Sequence, residues 1–288
     1  MTRHDGSRFR IGLVVPSSNT TMETELPELF RRRERRAPQR FSFHSSRMRM
    51  TAVTPQALAA MNDQGARCAQ ELADANCDAL AYACLVAVMA SGRRAHLATE
   101  QRLRPLASAD GRAPLVTSAG ALATAIRSLG ATRVALIAPY AQPLTMRVVD
   151  YLADLGITVV DAVSLGVTDN RAVGALDPMN LVDLAGTLDL RTAQAIVLSA
   201  CVQMPSLPAI PLVERRTGLP TLSAATATAH QLLAALDLEP LITDAGALLA
   251  EAGQGRLDAA PVTTSPRAAP RPISRARHTP MQGRVRNP

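Results

Sequence analysis

AIVLSACVQM, residues 195–204, is a short apolar run that stops at a cysteine and then turns polar. Apolar on nearly every side chain, it has the pattern of a strand buried on both faces, as in a parallel sheet. The same pattern stands at ALAYACLVAV, residues 79–88, with Cys84 in the place of Cys201. A second landmark also recurs. IGLVVPSSNTTMETEL (11–26) and VALIAPYAQPLTMRVV (134–149) each run from buried strand to proline, polar turn and helix. Two landmarks in the same order at nearly the same offset point to a duplication, giving two similar α/β domains related by an approximate two-fold axis.

Between the landmarks, apolar runs alternate with helical stripes. Strands are expected at 10–16, 78–84, 132–139, at ITVVDAVSL, at AQAIVLSAC and at LPTLSA. Helices are expected over 55–75, 118–130, 143–155 and 226–236, and in NLVDLAGTL and LVERRTG. Thr20 followed by Glu23 fits a capping box, so a helix is expected from near Thr20, with Asn19 in the turn before it. Such alternation implies parallel sheets with right-handed crossovers.

The chain has 288 residues, 47% of them hydrophobic, enough for a sizeable core. It contains no tryptophan and no lysine, so every basic side chain is Arg. The net charge of +7 invites a nucleic-acid reading, but its placement argues against one. The arginines cluster in FRRRERRAPQR (30–40) and in a Pro/Arg-rich stretch from Pro266 onward. That stretch has too few apolar residues for a packed core and reads as a disordered tail. Four cysteines without a C-x-x-C pair make neither a disulfide scaffold nor a zinc site, so no metal is expected. No stretch is apolar enough for a signal peptide or a membrane span, and a reducing cytoplasm fits free thiols.

In open α/β sheets, ligands bind beyond the carboxyl ends of the strands, where Cys84 and Cys201 would both lie. Across a cleft, one thiol can act as nucleophile or base while the other delivers a proton. A cysteine closing a buried strand is more often packing than chemistry. Two at matched places bring the catalytic reading level with the packing one. Cys68, on an apolar helix face, and Cys77, before a strand, read as structural, as does His230 inside its helix. Asn19 and Asn170 could be turn residues, and Tyr140 a turn residue with its ring on the surface. The turn after Pro139 nevertheless matches the one holding Asn19, which puts both near the same cleft.

GLVVPSSNTTMETEL, YACLVAVMASG, LIAPYAQPL, VTDNRAVGALDP, SACVQMPSLPAI and LPTLSAATATA together resemble the maleate cis-trans isomerases of the aspartate/glutamate racemase superfamily. The resemblance runs from about residue 10 to 237. It implies two pseudo-symmetric Rossmann-like domains, each a mainly parallel sheet flanked by helices, with the site in the cleft between them. The expected division is 8–117, completed by helices from about 225–255, then 118–224, then a disordered tail at 256–288. The implied reaction is cofactor-free conversion of maleate to fumarate through a succinyl-cysteine adduct, in a homodimer, often within nicotinate breakdown. By motif position Cys84 corresponds to the nucleophile and Cys201 to the proton donor. Asn19, Tyr140, Asn170, Leu85, Val86, Val202 and Gln203 correspond to substrate-binding residues, the last four named largely through backbone N–H groups in the case of Leu85, Val86, Val202 and Gln203. Rival readings are an amino-acid racemase or an arylmalonate-type decarboxylase on the same scaffold. Others are a non-catalytic diacid binder and a nucleic-acid-binding protein.

Overall fold

Sequence alternation becomes two parallel sheets in a computed structural model, which describes residues 8–50 and 54–251. The first half runs β1 (Arg8–Pro16), α1 (Met22–Glu34), β2 (Arg40–Met48), α2 (Pro55–Asn62), α3 (Gly65–Asp74) and β3 (Ala79–Tyr82). It continues with α4 (Leu85–Ala90), α5 (Ala95–Leu103), β4 (Leu115–Thr117) and α6 (Ser118–Ser128). The second half runs β5 (Arg133–Ala138), α7 (Gln142–Ala153), β6 (Thr158–Ser164), α8 (Asn170–Gly174) and α9 (Asn180–Ala185). It ends with β7 (Ala195–Ser199), α10 (Ile210–Thr217), β8 (Thr221–Ser223) and α11 (Ala224–Ala235). The proposed disordered tail at 256–288 lies outside the described residues.

The strand orders are β2-β1-β3-β4 and β6-β5-β7-β8, one order used twice. The repeat extends to single hydrogen bonds. The N–H of Ala83 donates to the Val14 carbonyl at 2.8 Å, and that of Ala200 donates to the Ile137 carbonyl at 2.9 Å. Each donor directly precedes a cysteine, and each acceptor stands two residues before a proline. The duplication read from the two landmarks is therefore present in the backbone register. Both sheets belong to one compact unit. The last helix, α11, packs on α6 and α1 and against β3 and β4 of the first sheet. Ser223 and Thr226 form a capping box at its start, which fixes where the chain leaves β8.

Two expectations are corrected. Residues 55–75 are two helices, α2 and α3, broken at Asp63–Gln64. The Thr20–Glu23 capping box does not form. Helix α1 begins at Met22, and its first N–H donates to the Asn19 side-chain oxygen at 3.1 Å. Glu23 instead pairs with Arg47 of β2. Arg47 also donates to the carbonyls of Ser17 and Asn19 at 2.9 and 3.0 Å, bracing the turn from the neighbouring strand. Among the described residues no helix is long and apolar enough to cross a membrane.

Candidate active site

Each cysteine lies just beyond a buried central strand, at the carboxyl end of its sheet. Cys84 takes the N-cap position of α4 without a side-chain capping hydrogen bond. Cys201 is followed by a tight turn rather than a helix, and the Gln203 N–H donates to its sulfur at 3.3 Å. Here the two halves differ, although their strands match. The two thiols line one small cavity together with Asn19, Leu85, Val86, Tyr140, Asn170, Val202 and Gln203. Thus all nine residues singled out in the sequence are brought together. Pro16 and Met50 complete the wall. Met50 went unrecognised because β2, which carries the chain to it, is a half-exposed strand hidden in an arginine-rich run.

The cavity is narrow and holds about 20 Å³, room for about one water. Wider grooves of about 780 and 870 Å³ lie elsewhere on the surface, but neither has a pair of thiols. Leu85, Val86 and Val202 make much of the wall apolar, so a charge placed there must be met by specific donors. One such donor waits. The Asn19 side chain is 1% exposed, and its amide nitrogen has no partner while its oxygen caps α1. The first N–H groups of α4 are those that a helix start leaves free.

Tyr140 is buried, not a surface ring. Its hydroxyl donates to the Ala200 carbonyl at 3.3 Å and also faces the Cys201 thiol. Asn170 reaches across from α8, its amide donating to the Ser18 hydroxyl at 2.6 Å. The Gln203 side chain is fully engaged: it accepts from the Thr20 N–H and donates to the Ser18 and Asn170 carbonyls. That amide is a staple between the two halves. Gly174 leaves room for it, since a Cβ there would sit 2.6 Å from the Gln203 amide nitrogen. His230, Cys68 and Cys77 line no part of this cavity. No cluster of His, Cys, Asp and Glu suited to a metal occurs among the described residues.

Burial dominates the acidity of both thiols. It pushes Cys84 up to about 12, the nearby Cys201 adding to the shift and the Ala87 N–H opposing it. Cys201 is also raised by burial, but the Tyr140 hydroxyl and the N–H groups of Gln203 and Met204 pull it back. Cys77 is raised to about 11 and Cys68 is raised as well, both chiefly by burial. Thiolate absorbance of the folded protein at pH 9 should therefore fall well below half that of the unfolded chain. The folded state holds thiol protons that the unfolded state has lost above pH 9. This stabilising contribution is complete below pH 9 and disappears as pH rises towards 12. Urea midpoints measured from pH 8 to 11 should fall over that window.

The arylmalonate decarboxylase family matches residues 11–249. Maleate isomerase of Geobacillus stearothermophilus is 53% identical over 243 residues, covering 84% of this chain and 97% of that one. Among solved structures, a cysteine-to-alanine variant of the Pseudomonas putida S16 maleate isomerase, with maleate, has 51% identity and a TM-score of 0.83, covering 84% and 97% of the two chains. A cysteine-to-serine variant of the Nocardia farcinica maleate cis-trans isomerase, carrying a covalently bound succinylcysteine intermediate, has 47% identity and a TM-score of 0.80. It covers 84% of this chain and 98% of its own. The chain belongs to the arylmalonate decarboxylase family and, within it, to the maleate isomerases.

Proposed function

We propose that the protein converts maleate to fumarate without a cofactor, using Cys84 as nucleophile and Cys201 as proton carrier. The observation that carries this reading is two buried thiols sharing one small cavity with an unpaired amide donor.

A cis alkene cannot rotate about its double bond. Addition of the Cys84 sulfur to one alkene carbon breaks the π bond and leaves a single bond that can rotate. The electron pair moves to the neighbouring carbon and its carboxylate, where N–H donors stabilise it. Cys201 faces more donors than Cys84 does, so it better bears the negative charge. Cys84 attacks as the thiolate, its proton lost to solvent, and the Cys201 thiol hands its own proton to the carbanion. The product is a succinyl thioether on Cys84, with Cys201 left as a thiolate. Rotation is followed by the same steps in reverse: the Cys201 thiolate takes back the carbon proton, the C–S bond breaks and Cys84 leaves as the thiolate. No net proton or electron is consumed. Asn19, the first N–H groups of α4 at Leu85 and Val86, and the 202–203 turn hold the carboxylates. Tyr140 and Asn170 close the site around them.

Proton NMR of maleate incubated with the purified protein tests this directly, because the olefinic signals of maleate and fumarate are distinct. Fumarate is expected; its absence with folded protein overturns the reading. Asn19→Asp keeps the oxygen that caps α1 but replaces the free donor with a negative oxygen. It should lower kcat/KM for maleate by at least about tenfold, the worth of a hydrogen bond to a charged group. Unchanged kcat/KM would remove Asn19 from the binding set. The reading carries with it a homodimer, a reducing cytoplasm and a role in nicotinate breakdown. Four free cysteines suit such a compartment.

A further inference from the structure

The carboxylate of Glu25 is buried on the inner face of α1, in the stripe formed by Met22, Leu26 and Leu29. A charge in an apolar stripe is costly unless donors meet it. Here every hydrogen-bond donor comes from one place, the turn that follows Cys201. The N–H groups of Ser206 and Leu207 donate to one oxygen of Glu25 at 2.6 and 2.7 Å, and the Ser206 hydroxyl donates to the other at 3.4 Å. A second tether lies beside the first: the Thr21 hydroxyl donates to the Gln203 carbonyl at 2.7 Å. From the opposite side, the buried Ser199 hydroxyl donates to the carbonyls of Cys201 and Met204 at 2.8 and 3.3 Å. The segment from Cys201 to Leu207 is thus pinned at both ends. The Gln203 and Met204 N–H groups that face the Cys201 sulfur lie within it. Cys84 has no such arrangement, since α4 itself orients it.

We infer that Glu25 is a positioning residue, holding the 201–207 turn from the opposite half of the molecule so that its N–H groups stay aimed at Cys201. This rests on the isomerase reading for its catalytic consequence, but its geometric consequence can be tested without turnover. Glu25→Met keeps the length of the side chain but removes both acceptors, leaving the Ser206 and Leu207 N–H groups without their partner. In ligand-free protein, alkylation of Cys201 by iodoacetamide, followed by peptide mass spectrometry, should accelerate at least about fivefold while that of Cys84 changes less than about twofold. With maleate, kcat should fall at least about tenfold while KM stays within about threefold.

General loosening of the fold would expose both thiols alike. Equal acceleration of Cys84 and Cys201, or no change at Cys201, overturns the inference. If wild-type protein makes no fumarate, the isomerase reading falls and the alkylation ratio alone decides the positioning role. Thr21→Val removes the neighbouring tether with little change of shape. It should shift the same ratio in the same direction by a smaller factor, and it decides the matter by the same criteria if Glu25→Met does not fold.

Discussion

Cys84→Ala should leave a folded protein that makes no fumarate from maleate above the uncatalysed background. The expected loss is at least about 10⁴-fold in kcat, on the scale of removing a covalent nucleophile rather than a binding group. The reason is chemical. Nothing else lining the cavity can add to an alkene and return it unchanged: apart from Cys201 and the Met50 thioether, the side chains are amides, a buried phenol and hydrocarbons. Cys201 has its own sulfur, but the proposed mechanism gives it the proton transfer rather than the attack. The variant should still recognise the diacid, because Asn19 and the backbone donors remain. Maleate should therefore still raise its melting temperature. Fumarate production surviving in Cys84→Ala would end the nucleophile assignment. Lost production together with lost binding would show that the substitution had disturbed the cavity rather than the chemistry.

The central strands were legible because burial on both faces leaves an almost unbroken apolar run. Residues 79–82, 134–138 and 195–199 are buried throughout, as is 11–15. Strand β2 was not, because it runs along a sheet edge and alternates Arg40, Ser42 and His44 with Phe41 and Phe43. Strand β4 has only three residues, too few for a period. Helix α4 is buried from Leu85 to Met89, so it shows no polar face to mark it as a helix. The cavity residues came from motifs at strand ends and in turns, where chain topology decides what meets. Met50 and Glu25 were not among the residues those motifs singled out. Glu25 did leave a signal, a carboxylate at a core position of a helical stripe, but its partners are nearly two hundred residues away in sequence. Only the packing of α1 against the 201–207 turn reveals them. The Thr20–Glu23 pair shows the reverse case. A local capping pattern was overridden because Asn19 caps α1 and Arg47 claims Glu23.

Cys201→Ser should separate the two halves of the reaction. A hydroxyl at that position can still pass a proton towards the carbanion, but as an anion it is far harder to form than a thiolate. Addition of Cys84 should therefore proceed once, while removal of the carbon proton stalls. Intact-mass measurement after incubation with maleate should show one added maleic acid per chain, and peptide mapping should place it on Cys84. Turnover should fall by about 10²–10⁴, the usual worth of a positioned acid–base group. A covalently bound succinylcysteine in a cysteine-to-serine variant of the Nocardia farcinica relative is the kind of species expected. The outcome is specific to the division of labour. If no adduct forms on Cys84 in this variant, while Cys84→Ala still labels Cys201, the roles of the two cysteines are reversed. If Cys201→Ser turns over at the wild-type rate, the proton comes from elsewhere, and the Tyr140 hydroxyl, which faces the position the sulfur occupied, becomes the candidate. An adduct confined to Cys84, accumulating because it cannot leave, would locate the slow proton at Cys201 and account for a second buried thiol in so small a cavity.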